Sequence, residues 1–252
     1  MKQVTRRSFL ASTIGATSLA ALTVNSAAGV SSQPVLTDSF TILFQGDSIT
    51  DGNRGRNTDP NHILGHGYAF SIASMLGSKY PERKLSFVNK GVSGDKISDL
   101  ASRWQADAID LKPDLVSILV GINDIHAEIN HRKSNAAFES QYRQVLDETT
   151  RALPDALIVL AEPFILAVGM VNNDPEKWKT EVVAAQQAVR KLVKEYDALL
   201  IPYQQMFNDA CKFAPAEYWI WDGIHPTYNG HGLMASLWMK TVGEKCALVA
   251  DK

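Results

Sequence analysis

The strongest constraint on this chain is a regular alternation between two kinds of apolar pattern. Short continuous runs occur at Thr41-Ile42-Leu43-Phe44, Ser86-Phe87-Val88, Leu115 to Val120, Leu157 to Leu160 and Leu199-Leu200-Ile201. Apolar runs of this length, flanked by Gly, Pro and Asn, read as strands buried on both faces. Between them, apolar residues recur at three and four positions, as one face of a helix requires. Ala69, Ile72, Ala73, Leu76 and Tyr80 form one stripe, and Ile97, Leu100, Ala101, Trp104 and Ala108 another. Phe138, Tyr142, Val145, Leu146 and Leu153 follow, then Val182, Ala185, Val189, Leu192 and Tyr196, then Leu233, Met234, Leu237 and Trp238. Strand–helix alternation predicts an α/β domain: one five-stranded parallel sheet with helices on both faces. Residues that do chemistry should then follow strands, because ligands bind beyond the carboxyl ends of such sheets.

Residues 1–28 stand apart from this pattern. They hold Lys2, Arg6 and Arg7, no acidic residue, an apolar small-residue run from Phe9 to Val24, and Ser26-Ala27-Ala28 at a plausible cleavage point. The stretch Thr5-Arg6-Arg7-Ser8-Phe9-Leu10 resembles a twin-arginine export signal, an address and not an anchor. The run is short and diluted by Ser, Thr and Gly, which disfavours a membrane-spanning helix. The expectation is an export signal over 1–28, an extension over 29–38 and a single domain over 39–252. The mature protein would be periplasmic or secreted, with no membrane attachment after signal removal. Three of the 25 Lys and Arg residues lie in that signal, against 27 Asp and Glu in the chain. No basic excess remains to neutralise a phosphate backbone, so nucleic-acid binding is disfavoured. A homo-oligomer is compatible with the composition.

Four polar segments follow strands. They are Gly46-Asp47-Ser48-Ile49-Thr50-Asp51, Asn89-Lys90-Gly91-Val92-Ser93-Gly94, Gly121-Ile122-Asn123-Asp124, and Trp221-Asp222-Gly223-Ile224-His225-Pro226 before the last helix. Ester hydrolysis by serine needs a base beside a weak nucleophile, an acid that orients the base, and donors for the tetrahedral oxyanion. Each such donor lowers the barrier by roughly 3 kcal/mol. Ser48 fits the nucleophile, His225 the base and Asp222 the orienting carboxylate. The Ser48 N–H, the Gly91 N–H and the Asn123 amide fit the oxyanion hole. Each piece has a plainer reading: Ser48 as a helix cap, Asn123-Asp124 as a cap or Asx turn, Gly91 and Gly94 as turn glycines. Their joint occurrence, in strand order, favours the chemical one.

Other candidates are weaker. Ser93 is a rival nucleophile, but neither it nor Ser48 sits in a G-x-S-x-G elbow, which disfavours an α/β-hydrolase. His62, His66, His126 and His131 form no metal-ligand spacing, so no metal is expected. No G-x-G-x-x-G or Walker A stretch points to a nucleotide cofactor, and no cofactor is expected. Asp47, Asp51 and Asp124 read as structural carboxylates holding backbone. Cys211 and Cys246 could pair after export or remain buried free thiols.

The four segments resemble the four blocks of the SGNH, or GDSL-type, hydrolases. The Ser, Gly, Asn and His that name that family fall on Ser48, Gly91, Asn123 and His225. The resemblance implies a flavodoxin-like three-layer α/β/α fold, a Ser48–His225–Asp222 triad and no metal. Within the family, the GDSITD opening, Val88 to Gly94, Asp99 to Trp104, Lys112 to Ile118, and Trp221 to Pro226 with Gly230-His231 are similar to serine acetylxylan esterases. That likeness implies removal of acetyl groups from an acetylated saccharide, xylan or xylo-oligosaccharides, with Trp221 near the sugar. The rivals are a lysophospholipase or thioesterase of the same family and a non-catalytic carbohydrate-binding protein on the same fold. The polar loop after Ser48 argues against the first, and the complete triad argues against the second.

Overall fold

The computed structural model describes residues 40–130 and 137–246. The chain divides into two units, Met1–Val35 and Leu36–Lys252, and all described residues belong to the second. The export signal and the extension expected over residues 1–38 therefore lie outside the described residues, as does His131.

The strands are β1 (Phe40–Gly46), β2 (Leu85–Asn89), β3 (Leu115–Leu119), β4 (Leu157–Ala161) and β5 (Leu199–Ile201). They form one parallel sheet in the order β2-β1-β3-β4-β5. This is the flavodoxin-like order. Burial follows position: β3, in the middle, is buried throughout, whereas β2, at an edge, is half-exposed except at Asn89.

After β1 come α1 (Ser48–Asp51) and α2 (Tyr68–Lys79), then α3 (Ile97–Asp107) after β2 and α4 (Ile122–Ile129) and α5 (Phe138–Ala152) after β3. Then follow α6 (Pro175–Glu195), α7 (Tyr203–Ala210), α8 (Ala216–Trp219) and α9 (Tyr228–Gly243). The long helices α2, α3, α5, α6 and α9 sit where the stripes place them, and the short α1, α4, α7 and α8 lie among them. In α6, Asp174 caps the first turn by accepting from the Lys177 N–H at 3.2 Å, and Pro175 stands at the start. Its buried Trp178, Val182, Ala185, Val189 and Leu192 are the predicted stripe extended by one turn. Helix α2 packs on α9, and α3 packs on α5, which in turn packs on α6. Right-handed crossovers account for this grouping, because the chain reverses direction across the sheet after β2 and so changes face.

Two tryptophans tie the helical layers inward with their only polar atom. Trp104 Nε1–H donates to Thr149 Oγ1 at 2.9 Å, joining α3 to α5, and Trp238 Nε1–H donates to Ser117 Oγ at 3.0 Å, joining α9 to the middle strand. Ser117 is the one polar residue of β3, and it is buried. Ser117→Ala should therefore strand the indole N–H in an apolar core and cost about 1–3 kcal/mol. Urea unfolding checks this: the midpoint should fall with an unchanged slope.

Candidate active site

Strand pairing brings the polar segments to one rim. Gly46 lies opposite Leu119, and Phe44 opposite Asn89, so β1, β2 and β3 end nearly level. The sheet's switch point lies between β1 and β3, and Ser48 and Asn123 follow those two strands directly. A Cβ at Gly46 would overlap the Leu119 carbonyl and the Thr50 hydroxyl, so only glycine lets β1 turn this sharply. Asp47 then caps α1, accepting from the Ile49 N–H at 3.0 Å. Ser48 is the first residue of that single turn.

Ser48 Oγ–H donates to His225 Nε2 at 2.8 Å, across 177 residues of sequence. His225 Nδ1–H donates to Asp222 Oδ2 at 2.6 Å. An ionised carboxylate only accepts, so Nδ1 carries the proton and Nε2 is left to accept from the serine. The other Asp222 oxygen takes the backbone N–H groups of Ile224 (3.1 Å) and His225 (2.8 Å), which folds the turn tightly enough for the two side chains to meet. The loop after β4 grips that turn: Met170 N–H donates to Asp222 O at 2.9 Å and Leu166 N–H to Gly223 O at 3.0 Å. Gly169, at φ +51°, has no room for a side chain against Asp222. Sequence reasoning missed Gly169, and an isolated glycine in an apolar loop offered no signal for it.

The charges suit this arrangement. Burial pushes the Asp222 carboxyl up, but the bonds from the His225 ring and the two backbone N–H groups outweigh it and hold the acid below its usual range. The bond to Asp222 lifts the His225 imidazole above its usual value, against the opposing effect of burial. Asp222 therefore favours the charged, imidazolium form of His225.

The donors left free at the rim differ from the expected oxyanion set at one position. The Gly91 N–H is already spent: it donates to Asn89 Oδ1 at 2.9 Å. The Asn89 amide cannot turn away, because its Nδ2 donates to Thr50 O at 2.7 Å and Leu64 O at 3.0 Å. Gly91 is needed for packing, since a Cβ there would overlap Asp51 N and lie 2.8 Å from Thr50 C. Three residues on, Gly94 is exposed at φ +90°, with open space around it, and its N–H has no partner among the described residues. Asn123 Nδ2 donates to the neighbouring Asp95 carbonyl at 3.0 Å, which leaves one amide hydrogen uncommitted beside Gly94. The Ser48 N–H likewise has no partner among the described residues. The glycine spacing was legible in sequence, but which N–H is free was not.

The remaining candidates fall into place. Ser93 meets no histidine; its N–H and Oγ–H both go to Asp51 Oδ2, at 3.0 and 3.1 Å. Asp51 also accepts from the Arg54 N–H and from Arg56. Asp124 accepts from the Ile97 N–H at 3.3 Å. Trp221 is exposed and stacks on the His225 ring, with centroids 6.2 Å apart at 20°. His62 is on the surface beside Asp59, and His126 stacks on Trp178. Among the described residues, no cluster of His, Cys, Asp and Glu could hold a metal. Cys211 and Cys246 are free thiols.

A serine, a histidine and an aspartate in one hydrogen-bonded chain at the switch point of a flavodoxin-like sheet define a serine hydrolase. The profile of the GDSL-like lipase/acylhydrolase family matches residues 44–233, and the chain belongs to that family, an ester hydrolase. It is 30% identical over 210 residues to an acetylxylan esterase of Geobacillus stearothermophilus, covering 80% of this chain and 93% of that enzyme. The crystal structure of an acetylxylan esterase from that organism superimposes with a TM-score of 0.72 at 30% identity, over 84% of this chain and 95% of that one. Structures of its catalytic mutants at a serine, an aspartate and a histidine are similar to this chain too. A provisionally assigned GDSL-like lipase from Parabacteroides merdae gives a TM-score of 0.78 at 37% identity, over 82% of this chain and 96% of that one.

Two carboxyls behind the site oppose their own ionisation. Burial raises both Asp47 and Asp124 to about 7. In the unfolded chain each returns to the ordinary carboxylate range, so rising pH ionises the unfolded state first and folding loses stability up to about pH 7. Asp124→Asn removes that penalty and keeps an oxygen for the Ile97 N–H. The substitution should raise Tm by more at about pH 8 than at about pH 4, as calorimetry at the two values can check.

Proposed function

We propose that this protein is an acetylesterase acting on acetylated xylan or xylo-oligosaccharides, with Ser48 as nucleophile, His225 as general base and acid, and Asp222 as the residue that orients His225. The observation that carries this reading is the unbroken chain from Ser48 Oγ through the His225 ring to Asp222, at 2.8 and 2.6 Å. Ser48 Oγ attacks the acetyl carbonyl as His225 Nε2 takes its proton. The oxyanion is met by the Ser48 N–H, the Gly94 N–H and the Asn123 amide, Gly94 taking the role first assigned to Gly91. His225 then gives the proton to the departing sugar oxygen, leaving acetyl-Ser48. Water, deprotonated by His225, attacks that ester, and acetate leaves as the proton returns to Ser48.

The substrate class rests on the acetylxylan esterase relatives and on the exposed Trp221 beside His225. Export on the twin-arginine-like segment before residue 28 fits a polymeric substrate outside the cell. No described helix is long and apolar enough to cross a membrane.

Ser48→Ala should release no acetate from p-nitrophenyl acetate while keeping the wild-type circular dichroism spectrum. The wild-type enzyme should clear acetyl signals from the proton NMR spectrum of acetylated xylan, and should cleave acetyl esters faster than octanoyl esters. Activity retained in Ser48→Ala overturns the nucleophile. Faster octanoyl cleavage overturns the acetyl specificity in favour of a lipase or thioesterase.

A further inference from the structure

Among the described residues, most of the large apolar side chains left exposed gather in one short stretch. Phe213 is 87% exposed, Tyr218 49%, Trp221 64% and Tyr228 84%. The backbone explains their grouping. Between the end of α8 and the start of α9 the chain doubles back on itself, with Ile220 bridged antiparallel to Pro226, Trp221 N–H donating to His225 O at 3.1 Å and Thr227 N–H to Trp219 O at 2.9 Å. Thr227 Oγ1–H closes the far end on Tyr218 O at 2.7 Å. Trp221 therefore lies at the catalytic histidine, and Tyr218 and Tyr228 lie together at the other end. Tyr218 sits in α8 and Tyr228 opens α9, each three residues along the chain from Trp221 or His225, so the two ends are at most about 10 Å apart. Ile220 and Pro226 point into the protein and are buried, so the hairpin is anchored while its aromatic rings stay outside.

The stretch is almost without charge. Between Phe213 and Tyr228 there is no Lys or Arg, and the acids are Glu217 and the paired Asp222. Separate aromatic faces on an uncharged ridge suit a neutral ligand whose C–H groups can lie on the negative π-face. Exposed apolar patches of this kind mark binding surfaces. The faces of a sugar ring offer such C–H groups, and Thr227 and the tyrosine hydroxyls can meet sugar hydroxyls at the edges. We propose that Trp221, Tyr228 and Tyr218 form an aromatic track that holds a polysaccharide chain to one side of the acetylated residue, so that the enzyme binds polymer more tightly than short acetyl esters. The track rests on the saccharide-esterase reading above, because it leads from the acetyl site outward.

The test is the ratio of kcat/KM on acetylated xylan to kcat/KM on p-nitrophenyl acetate. In Tyr218→Ala/Tyr228→Ala the ratio should fall about tenfold, through a higher KM for the polymer. Tyr228→Phe, which keeps the ring, should restore most of what Tyr228→Ala alone loses. Phe70→Ala, an exposed apolar residue on α2, is the control and should leave the ratio unchanged. An unchanged ratio in the double variant overturns the track. So does a fall in sedimentation mass on Tyr228→Ala, which would make the patch a contact between copies of the chain. If the wild-type enzyme cleaves p-nitrophenyl acetate but frees no acetate from xylan, the saccharide reading itself fails, and the track fails with it.

Discussion

The site depends on how β1 ends. A buried parallel strand must hand its chain to the rim of the sheet within one or two residues if a side chain is to stand exposed above the switch point. Gly46 permits this by leaving room for the Leu119 carbonyl and Thr50, and Asp47 holds the turn by capping the Ile49 N–H. Helix α1 is only one turn long, so its position comes from contacts and not from helix propensity. Asn89 holds its carbonyls, Gly91 packs against its last residues, and Asp51 ties it to Ser93. Displacing this turn would move Ser48 and the loop after β2 together.

The buried carboxylates divide according to what they meet. Asp51 and Asp222 are surrounded by donors, several of them backbone N–H groups, and these outweigh burial and keep both acids ionised. Asp47 and Asp124 each receive few donors, and burial dominates. The first pair supplies fixed negative charge, one acid steadying the guanidinium of Arg56 and the other the imidazole of His225. The second pair acts through hydrogen-bond acceptors and costs stability when ionised. A charge is therefore fixed beside the His225 imidazole, and is resisted in the wall behind it.

Much of this was legible in the sequence. Each of the five strands coincides with a predicted run to within two residues at either end, because strands buried on both faces leave continuous apolar stretches. The long helices follow their stripes for the same reason. The short helices α1, α4, α7 and α8 were not read. One or two turns carry too few apolar positions to show a period, and the first turn of α4 holds the very Asn123-Asp124 pair that had a turn reading. Within the site, the hydrogen-bonded trio of Ser48, Asp222 and His225 followed from residue type and strand order. Gly91 and Gly94 could not be told apart that way, since both follow β2 and both are glycine. The difference lies in Asn89, whose side chain claims the first N–H and leaves the second. The grip of Gly169 on the Asp222 turn was equally hidden, being a contact between distant loops.

The central claim is that Ser48 is the nucleophile activated by His225. Incubation with a fluorophosphonate followed by peptide mass spectrometry tests it most directly, because the reagent forms a covalent bond only with an activated serine. The phosphonyl group should appear on the peptide carrying Ser48, and the labelling rate should collapse in His225→Ala. Label on Ser93, or labelling of Ser48 at an unchanged rate without His225, would contradict the account.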